Sequence, residues 1–347
     1  MEIKKNHFGT TSKGEEVTLY ILKNSNGISL DIISYGGIIT NINFPDKNGC
    51  FSNIVLGYDN LQEYEDDQSF FGAIIGRYAN RIKNGSFKID NTKINIDKNI
   101  GDNHLHGGFS GFHKKVWNAK SIKRKDSLSL ILNYLSKDLE NGFPGNLEVT
   151  VHYTLNNDNE LKIKYLAKSD KKTVVNFTNH SYFNLGPSLD KDIFNHKLLI
   201  KANKYLEVTN DLIPTGKLLK VENSKYNFLN LKKLLGELDN CWALDKDINQ
   251  KIELAAILVN EETGRRIEVY TDEPGIQVYT GNNLGYKHKK NSGICLETQH
   301  FPNSPNEDNF PSTELLPGEV FESNTTIKLI NIYDSHPTTL SETLLRV

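Results

Sequence analysis

Along a chain of 347 residues, apolar side chains recur at every second position in short segments bounded by Gly, Asn and Asp, and this period constrains the fold more than any other feature. A period of two lines one face of a strand, whereas a helix needs a repeat near 3.6. Residues 17–23, 28–34, 128–135, 147–155, 161–167 and 173–178 read as strands. Between Phe87 and Ile96 the apolar Phe87, Ile89, Ile94 and Ile96 flank Asp90-Asn91, a pair that tolerates turn conformations, so a hairpin is expected. Helical signals are few and peripheral: an acidic stretch at 60–67, a segment near 230–235, and a terminal helix after His336. No linker, low-complexity tract or internal repeat interrupts the pattern. The expectation is an all-β chain, a large antiparallel sandwich or barrel in which residues 1–347 form a single domain.

Composition narrows the partners. With 37% hydrophobic and 24% charged residues the chain has apolar material for a sizeable core. Its 41 basic and 43 acidic residues nearly cancel, and no Lys/Arg block supplies the footprint that nucleic acid requires. No run approaches the ~20 apolar residues that span a bilayer, and the opening residues Met1 to Phe8 lack an apolar signal core. Cys50, Cys241 and Cys295 are an odd number at distant positions, which indicates neither a disulfide framework nor a zinc site. A cytoplasmic protein is expected, with no nucleic-acid or membrane partner.

Four clusters depart from strand-and-turn composition: Gly76-Arg-Tyr-Ala-Asn-Arg81, Asn103-His-Leu-His-Gly-Gly108, Asn179-His-Ser-Tyr-Phe-Asn184 and Cys295-Leu-Glu-Thr-Gln299. Polar residues among apolar strands form either a structural network or a site. Alternation from Val174 onward sets Asn176, Thr178 and His180 on one face and Val175, Phe177 and Asn179 on the other. His180 titrates near neutrality and could exchange a proton, or it could be a satisfied structural histidine. His104 and His106, two apart, would share a face of a strand, a spacing metal sites use; no carboxylate follows, so hydrogen bonding from His106 to a ligand oxygen is the preferred role and no metal is expected. Apolar neighbours of Glu297 would raise its pKa toward a useful base, unless Arg77 or Arg81 pairs with it. Those arginines could equally clamp a substrate oxygen. Asp239 stands near Trp242, a pairing that suits sugars, with turn chemistry as the alternative. Gln277 would share a strand face with Tyr279 and could add an amide to such a pocket, or be an ordinary surface glutamine.

In order and spacing these clusters resemble the galactose mutarotase (aldose 1-epimerase) family. The resemblance runs from Gly36-Gly37 through G-R-Y-A-N-R-I (76 to 82), N-H-L-H-G-G (103 to 108), N-G-F-P-G-N-L (141 to 147), N-H-S-Y-F-N-L (179 to 185), G-I-Q-V-Y-T-G-N (275 to 282) and C-L-E-T-Q (295 to 299) to Leu316-Pro-Gly-Glu319. It implies a large antiparallel β-supersandwich with an open cleft, and interconversion of the α and β anomers of free hexoses, galactose or glucose. The family's proton donor then falls on His180 and its acceptor on Glu297. Sugar contacts fall on Asn80, Arg81, His106, Ser181, Tyr182, Asp239 and Gln277, with Arg77 in support. Two departures stand out: Asn240 follows Asp239 where the family often has histidine, and Pro302-Asn-Ser-Pro-Asn306 replaces a Pro-Asp-Ala segment.

Such chemistry needs one acid and one base about the C1–O5 unit of the sugar and no cofactor. The expected partner is a small-molecule sugar, bound by a monomer or weak homodimer. Three other readings compete. A hexose-6-phosphate epimerase would need a cationic phosphate pocket. A retaining glycosidase would need two carboxylates roughly 5 Å apart. A non-catalytic sugar-binding protein would need only the cleft.

Overall fold

A computed structural model describes residues 1–246 and 251–333. In it the period of two becomes sheet. Along Leu147–Asn156 the side chains of Leu147, Val149, Val151, Tyr153 and Leu155 are buried while their neighbours face outward, at least in part. Each such apolar side chain contributes about 1.5–3 kcal/mol when withdrawn from water, and a slip of one residue would turn the whole set outward, so the register is fixed.

Three antiparallel sheets carry the molecule. The first joins Glu2–Thr10, Glu16–Lys23, Ser29–Ile33, Ile39–Pro45 and Phe51–Asn53 in sequence order. The largest has nine strands and runs from Asn118–Lys123 through Ser127–Ser136, Leu147–Asn156, Glu160–Ser169, Phe321–Asn331, Arg265–Thr271, Glu253–Asn260 and Lys197–Ile200 to Lys232–Lys233. A six-stranded sheet runs Tyr182–Phe183, Ile294–Gln299, Gly275–Tyr279, Asp239–Ala243, Lys204–Val208, Pro214–Lys220. One apolar cluster takes residues from all three, among them Leu22 and Ile42, Leu130 and Val151, and Ile276 and Ile294.

The hairpin forms as expected, with Ser86–Ile89 against Thr92–Asn95 and Asp90 at φ 53°. The acidic stretch is the helix Leu61–Asp66, capped by Asn60, whose side chain accepts from Glu63 N at 3.1 Å. Residues 230–235 are not helical: Lys232–Lys233 pairs with the edge of the large sheet, and Leu234 is buried while Leu235 is 85% exposed, which leaves no apolar stripe for a helix to bury. The expected strand 173–178 is broken. Thr173–Val174 pairs with Glu314–Leu315 and Thr178–Asn179 with Ile74–Ile75, because the Asn176 side chain between them binds Ala79 O, His300 O and His300 N. The terminal helix after His336 falls outside the described residues.

Close backbone approach holds the loop that presents His106. A Cβ at Gly107, whose φ is +87°, would meet Gly76 O at 1.8 Å. Substituting Gly107→Ala is expected to cost on the order of 3 kcal/mol, since it adds both overlap and an unfavourable φ. A urea midpoint equal to that of the parent protein would contradict this approach.

Candidate active site

Three neighbouring strands of the six-stranded sheet build the floor of a cavity. Antiparallel pairing aligns Cys241, Gln277 and Glu297 in one row and Asp239, Tyr279 and Cys295 in the next. Alternation sends these side chains to one face, while Trp242, Ile276, Val278, Ile294 and Leu296 enter the apolar core on the other. The strand Ile294–Gln299 is therefore buried along its full length, polar residues included.

The cavity has a volume of about 330 Å³, and eight of the residues singled out from sequence line it: Asn80, Arg81, His106, His180, Tyr182, Asp239, Gln277 and Glu297. Two do not. Ser181 turns its hydroxyl to Asn179 Oδ1 at 2.6 Å and is not part of the lining. The Arg77 guanidinium directs its five N–H donors to Ser136 Oγ, Ser136 O, Lys137 O, Phe143 O and Pro144 O at 2.7–3.4 Å, so it ties down the loop after Ser127–Ser136 and has no donor left for a substrate. Burial without a carboxylate contact brings its pKa down to about 10. Neither arginine forms an ion pair with Glu297 within 4 Å among the described residues; Arg81 acts on it only at longer range.

His180 follows the short strand Thr178–Asn179, and its backbone bonds to Ala73 O and Gly72 N. Its Nε2 lies 3.7 Å from Glu297 Oε2, an oxygen with no hydrogen-bond partner. Both side chains are almost completely buried, His180 at 4% and Glu297 at 2% exposure. Burial disfavours charge on each, which lowers the His180 pKa to about 4 and raises that of Glu297 well above 4.5; nearby Asp239 adds to the latter and Arg81 opposes it. Burial thus disfavours the charged form of each, and a proton shared by the pair is favoured on the carboxyl side.

Asn80 and His106 lock each other. Asn80 N donates to His106 Nδ1 at 3.2 Å, His106 N donates to Asn80 O at 3.1 Å, and both residues have φ above +50°. The two histidines of 103–108 do not share a face. His106 turns into the cavity, while His104 packs on Phe143 and bonds Asp97 O and Gly107 N. Donor atoms of His106, His180 and Glu297 lie within 4.8 Å of one another, a set able to hold a metal ion. The tautomer opposes it. Because Nδ1 of His106 accepts from a backbone N–H, the ring proton sits on Nε2, which offers a hydrogen-bond donor where a metal would need a lone pair.

The other lining residues are polar and fixed. Gln277 Nε2 donates to Asp239 Oδ1 at 2.6 Å, and Asn240, the departure beside it, projects from the opposite face of its strand. The altered 302–306 segment braces the cavity wall, since Asn303 N donates to Arg81 O at 2.8 Å and Asn303 Oδ1 accepts from Lys83 N. The Tyr182 hydroxyl is committed to Ser69 O. Sequence reasoning missed Phe70, whose ring stands 4.8 Å from His106, 4.7 Å from His113 and 5.7 Å from His180 by centroids. No pattern around Ser69-Phe70-Phe71 marks it.

A model of the aldose 1-epimerase family matches residues 18–328. Galactose mutarotase of Sus scrofa is 36% identical over 341 residues, which cover 94% of this chain and 98% of that protein. Aldose 1-epimerase of Escherichia coli K12 is 33% identical over 91% of this chain and 96% of its own. Among solved structures, an aldose epimerase homologue from C. elegans superposes with a TM-score of 0.84 at 28% identity, covering 90% of this chain and 99% of its own. Galactose 1-epimerase from Lactobacillus acidophilus gives 0.83 at 26%, covering 95% and 99%. The chain belongs to the aldose 1-epimerase family, and with it to the isomerases. Its fold is the antiparallel supersandwich of those structures.

The raised pKa of Glu297 has a thermodynamic consequence with a definite sign. Above its ordinary value of 4.5 the unfolded chain loses this proton while the folded chain keeps it, so rising pH withdraws stability. Replacing Glu297 by Gln removes that loss. The stability difference should move in favour of Glu297→Gln by about 1.4 kcal/mol per pH unit above pH 4.5 until the folded carboxyl itself ionises. Urea titrations at pH 5, 6 and 7 check this; parallel curves for variant and parent would refute the raised pKa.

Proposed function

We propose that this protein interconverts the α and β anomers of free aldoses, galactose and glucose among them, by acid–base ring opening, with His180 as acid and Glu297 as base. The observation that carries the reading is the bare pair at the cavity floor: His180 Nε2 and an unpartnered Glu297 Oε2, 3.7 Å apart. Glu297 takes the proton of the C1 hydroxyl while His180 protonates the ring oxygen; the C1–O5 bond breaks and an aldehyde forms. After rotation about C1–C2, Glu297 returns its proton to the carbonyl oxygen and His180 takes one back as the ring closes on the other face. No electron or group is lost, so no cofactor is needed. One proton shuttles within the pair.

Arg81, Asn80, His106, Asp239 and Gln277 would hold the sugar, with donors and acceptors matched to hydroxyls and ring oxygen, and the Tyr182 ring as a wall. Holding matters because acid and base act only at the right distance. Phosphorylated sugars fit poorly. Among the described residues Arg81 is the only Lys or Arg in the lining, and the adjoining cavity, which shares Gln68, Ser69 and Asn283, carries Glu63, Asp66 and Asp67. We read the protein as a single domain, a cytoplasmic monomer or weak homodimer with no nucleic-acid or membrane partner. Its three cysteines are free, as a reducing compartment would keep them.

Polarimetry tests the assignment. Glu297→Gln and His180→Asn should each lower kcat by about 10² to 10⁴, and near-normal turnover in either would overturn these roles. Asp239→Ala should act mainly on KM. In a panel of aldoses, glucose 6-phosphate should exchange more slowly than glucose; the reverse order would favour the phosphosugar reading.

A further inference from the structure

Cys295 precedes Glu297 by two residues on Ile294–Gln299, so both side chains leave the same face of the strand. It is fully buried, and its Sγ lies 3.5 Å from Nδ1 of His180. The imidazole is thus held at both ends by one strand: sulfur at Nδ1 and carboxyl at Nε2. Phe70, His106 and Tyr182 surround the ring at centroid distances of 5.7, 5.1 and 5.0 Å. The titratable and charged groups around it are Glu297 and Cys295 from this strand, Tyr182 and Asp239 from other strands of the sheet, Arg81 from the short strand Arg81–Ile82, and His106 and His113 from the segments above. None of them is an anion at Nδ1.

We propose that Cys295 is a positioning residue for proton transfer: its uncharged sulfur accepts from Nδ1–H of His180, turns Nε2 toward the sugar, and gives the imidazolium no anionic support. The inference rests on His180 being the acid. A histidine backed by a carboxylate has its charged form stabilised, which makes it a better base and a weaker acid. A thiol is a poor acceptor. Burial and the neighbouring Glu297 push the Cys295 thiol well above 9, so it stays protonated and cannot take the carboxylate's part. Through the cycle the Nδ1 proton stays in place. Only the Nε2 proton moves, to the weakly basic ring oxygen and back.

The test compares Cys295→Ala and Cys295→Ser with the parent protein in anomer exchange across pH, together with ¹⁵N NMR of the His180 ring. Cys295→Ala, which removes the acceptor, should lower kcat by about tenfold to a hundredfold with KM nearly constant. Cys295→Ser, whose oxygen can still accept, should recover most of that loss, with the acid limb of kcat moved to higher pH. Parental kcat and pH profile in Cys295→Ala, or a Ser variant as impaired as the Ala variant, would overturn the proposal. The spectrum of the unaltered protein decides even if a variant does not fold: a hydrogen-bonded proton on Nδ1 supports it, and a neutral ring protonated at Nε2 alone overturns it. Failure of the wider reading looks different. A parent protein that does not exchange anomers, or an active His180→Asn, removes the acid itself and leaves the Nδ1 result standing as geometry.

Discussion

Because Ile294–Gln299 runs through the inside of the molecule, both of its faces must be covered, and the two are covered differently. Ile294 and Leu296 take the apolar side, continuous with the large sheet. Cys295 and Glu297 take the other: Cys295 joins a second apolar cluster with Ile75, Ala79 and Tyr182, and Glu297 faces His106, His180 and Arg81 across the cavity. A carboxyl in that position is withdrawn from water on the protein side and faces the cavity on the other. Apolar burial on one side of the strand therefore contributes the free energy that offsets desolvation of Glu297 on the other.

That desolvation sets the proton inventory. Two groups that would be oppositely charged in water are held with one proton between them, and before sugar binds burial favours the uncharged arrangement, Glu297 protonated and His180 neutral. In the proposed cycle this is also the arrangement reached after the ring opens. The ring-closed stage needs the other arrangement, carboxylate and imidazolium. A C1 hydroxyl donating to Glu297 and the nearby Arg81 charge both favour it. The pair titrates as a unit, and what the sugar and Arg81 add on the charged side opposes what burial adds on the neutral one. A reaction with no net chemical change runs in both directions, so each arrangement must be reached once per turnover.

Much of the fold could be read from the alternation in 147–155 or 128–135, because there a single requirement, one apolar face, decides everything. Reading failed where a polar side chain overrides the backbone pattern. Asn176 breaks the 173–178 strand by binding three backbone groups, and no propensity scale contains that. In 230–235 a leucine-rich stretch suggested a helix, but only one leucine of the Leu234–Leu235 pair is buried. At the site, Gln277 was legible as a strand residue sharing a face with Tyr279 and Glu297 as a carboxyl among apolar neighbours, and their register beside Cys241 follows from sheet pairing. Ser181 and Arg77 sit inside the same motifs yet turn away. A motif marks a stretch of fold as readily as a contact, and side-chain direction is settled by neighbours distant in sequence or by local turns, here the 136–144 loop for Arg77 and Asn179 for Ser181.

The polar wall of the cavity is held less by regular structure than by residues in the left-handed region. Asn80, His106 and Asn303 all have positive φ. Such conformations persist where hydrogen bonds over-determine them. Asn80 and His106 exchange two backbone-directed bonds, and Asn303 holds the carbonyl of Arg81. The same bond that fixes His106 also fixes its tautomer, so the conformational constraint and the chemical one are a single interaction. An imidazole whose Nε2 proton is fixed by the backbone donates reliably to a sugar oxygen and binds a metal poorly. The loop geometry, as much as the residue type, makes this wall suited to a hydroxylated ligand.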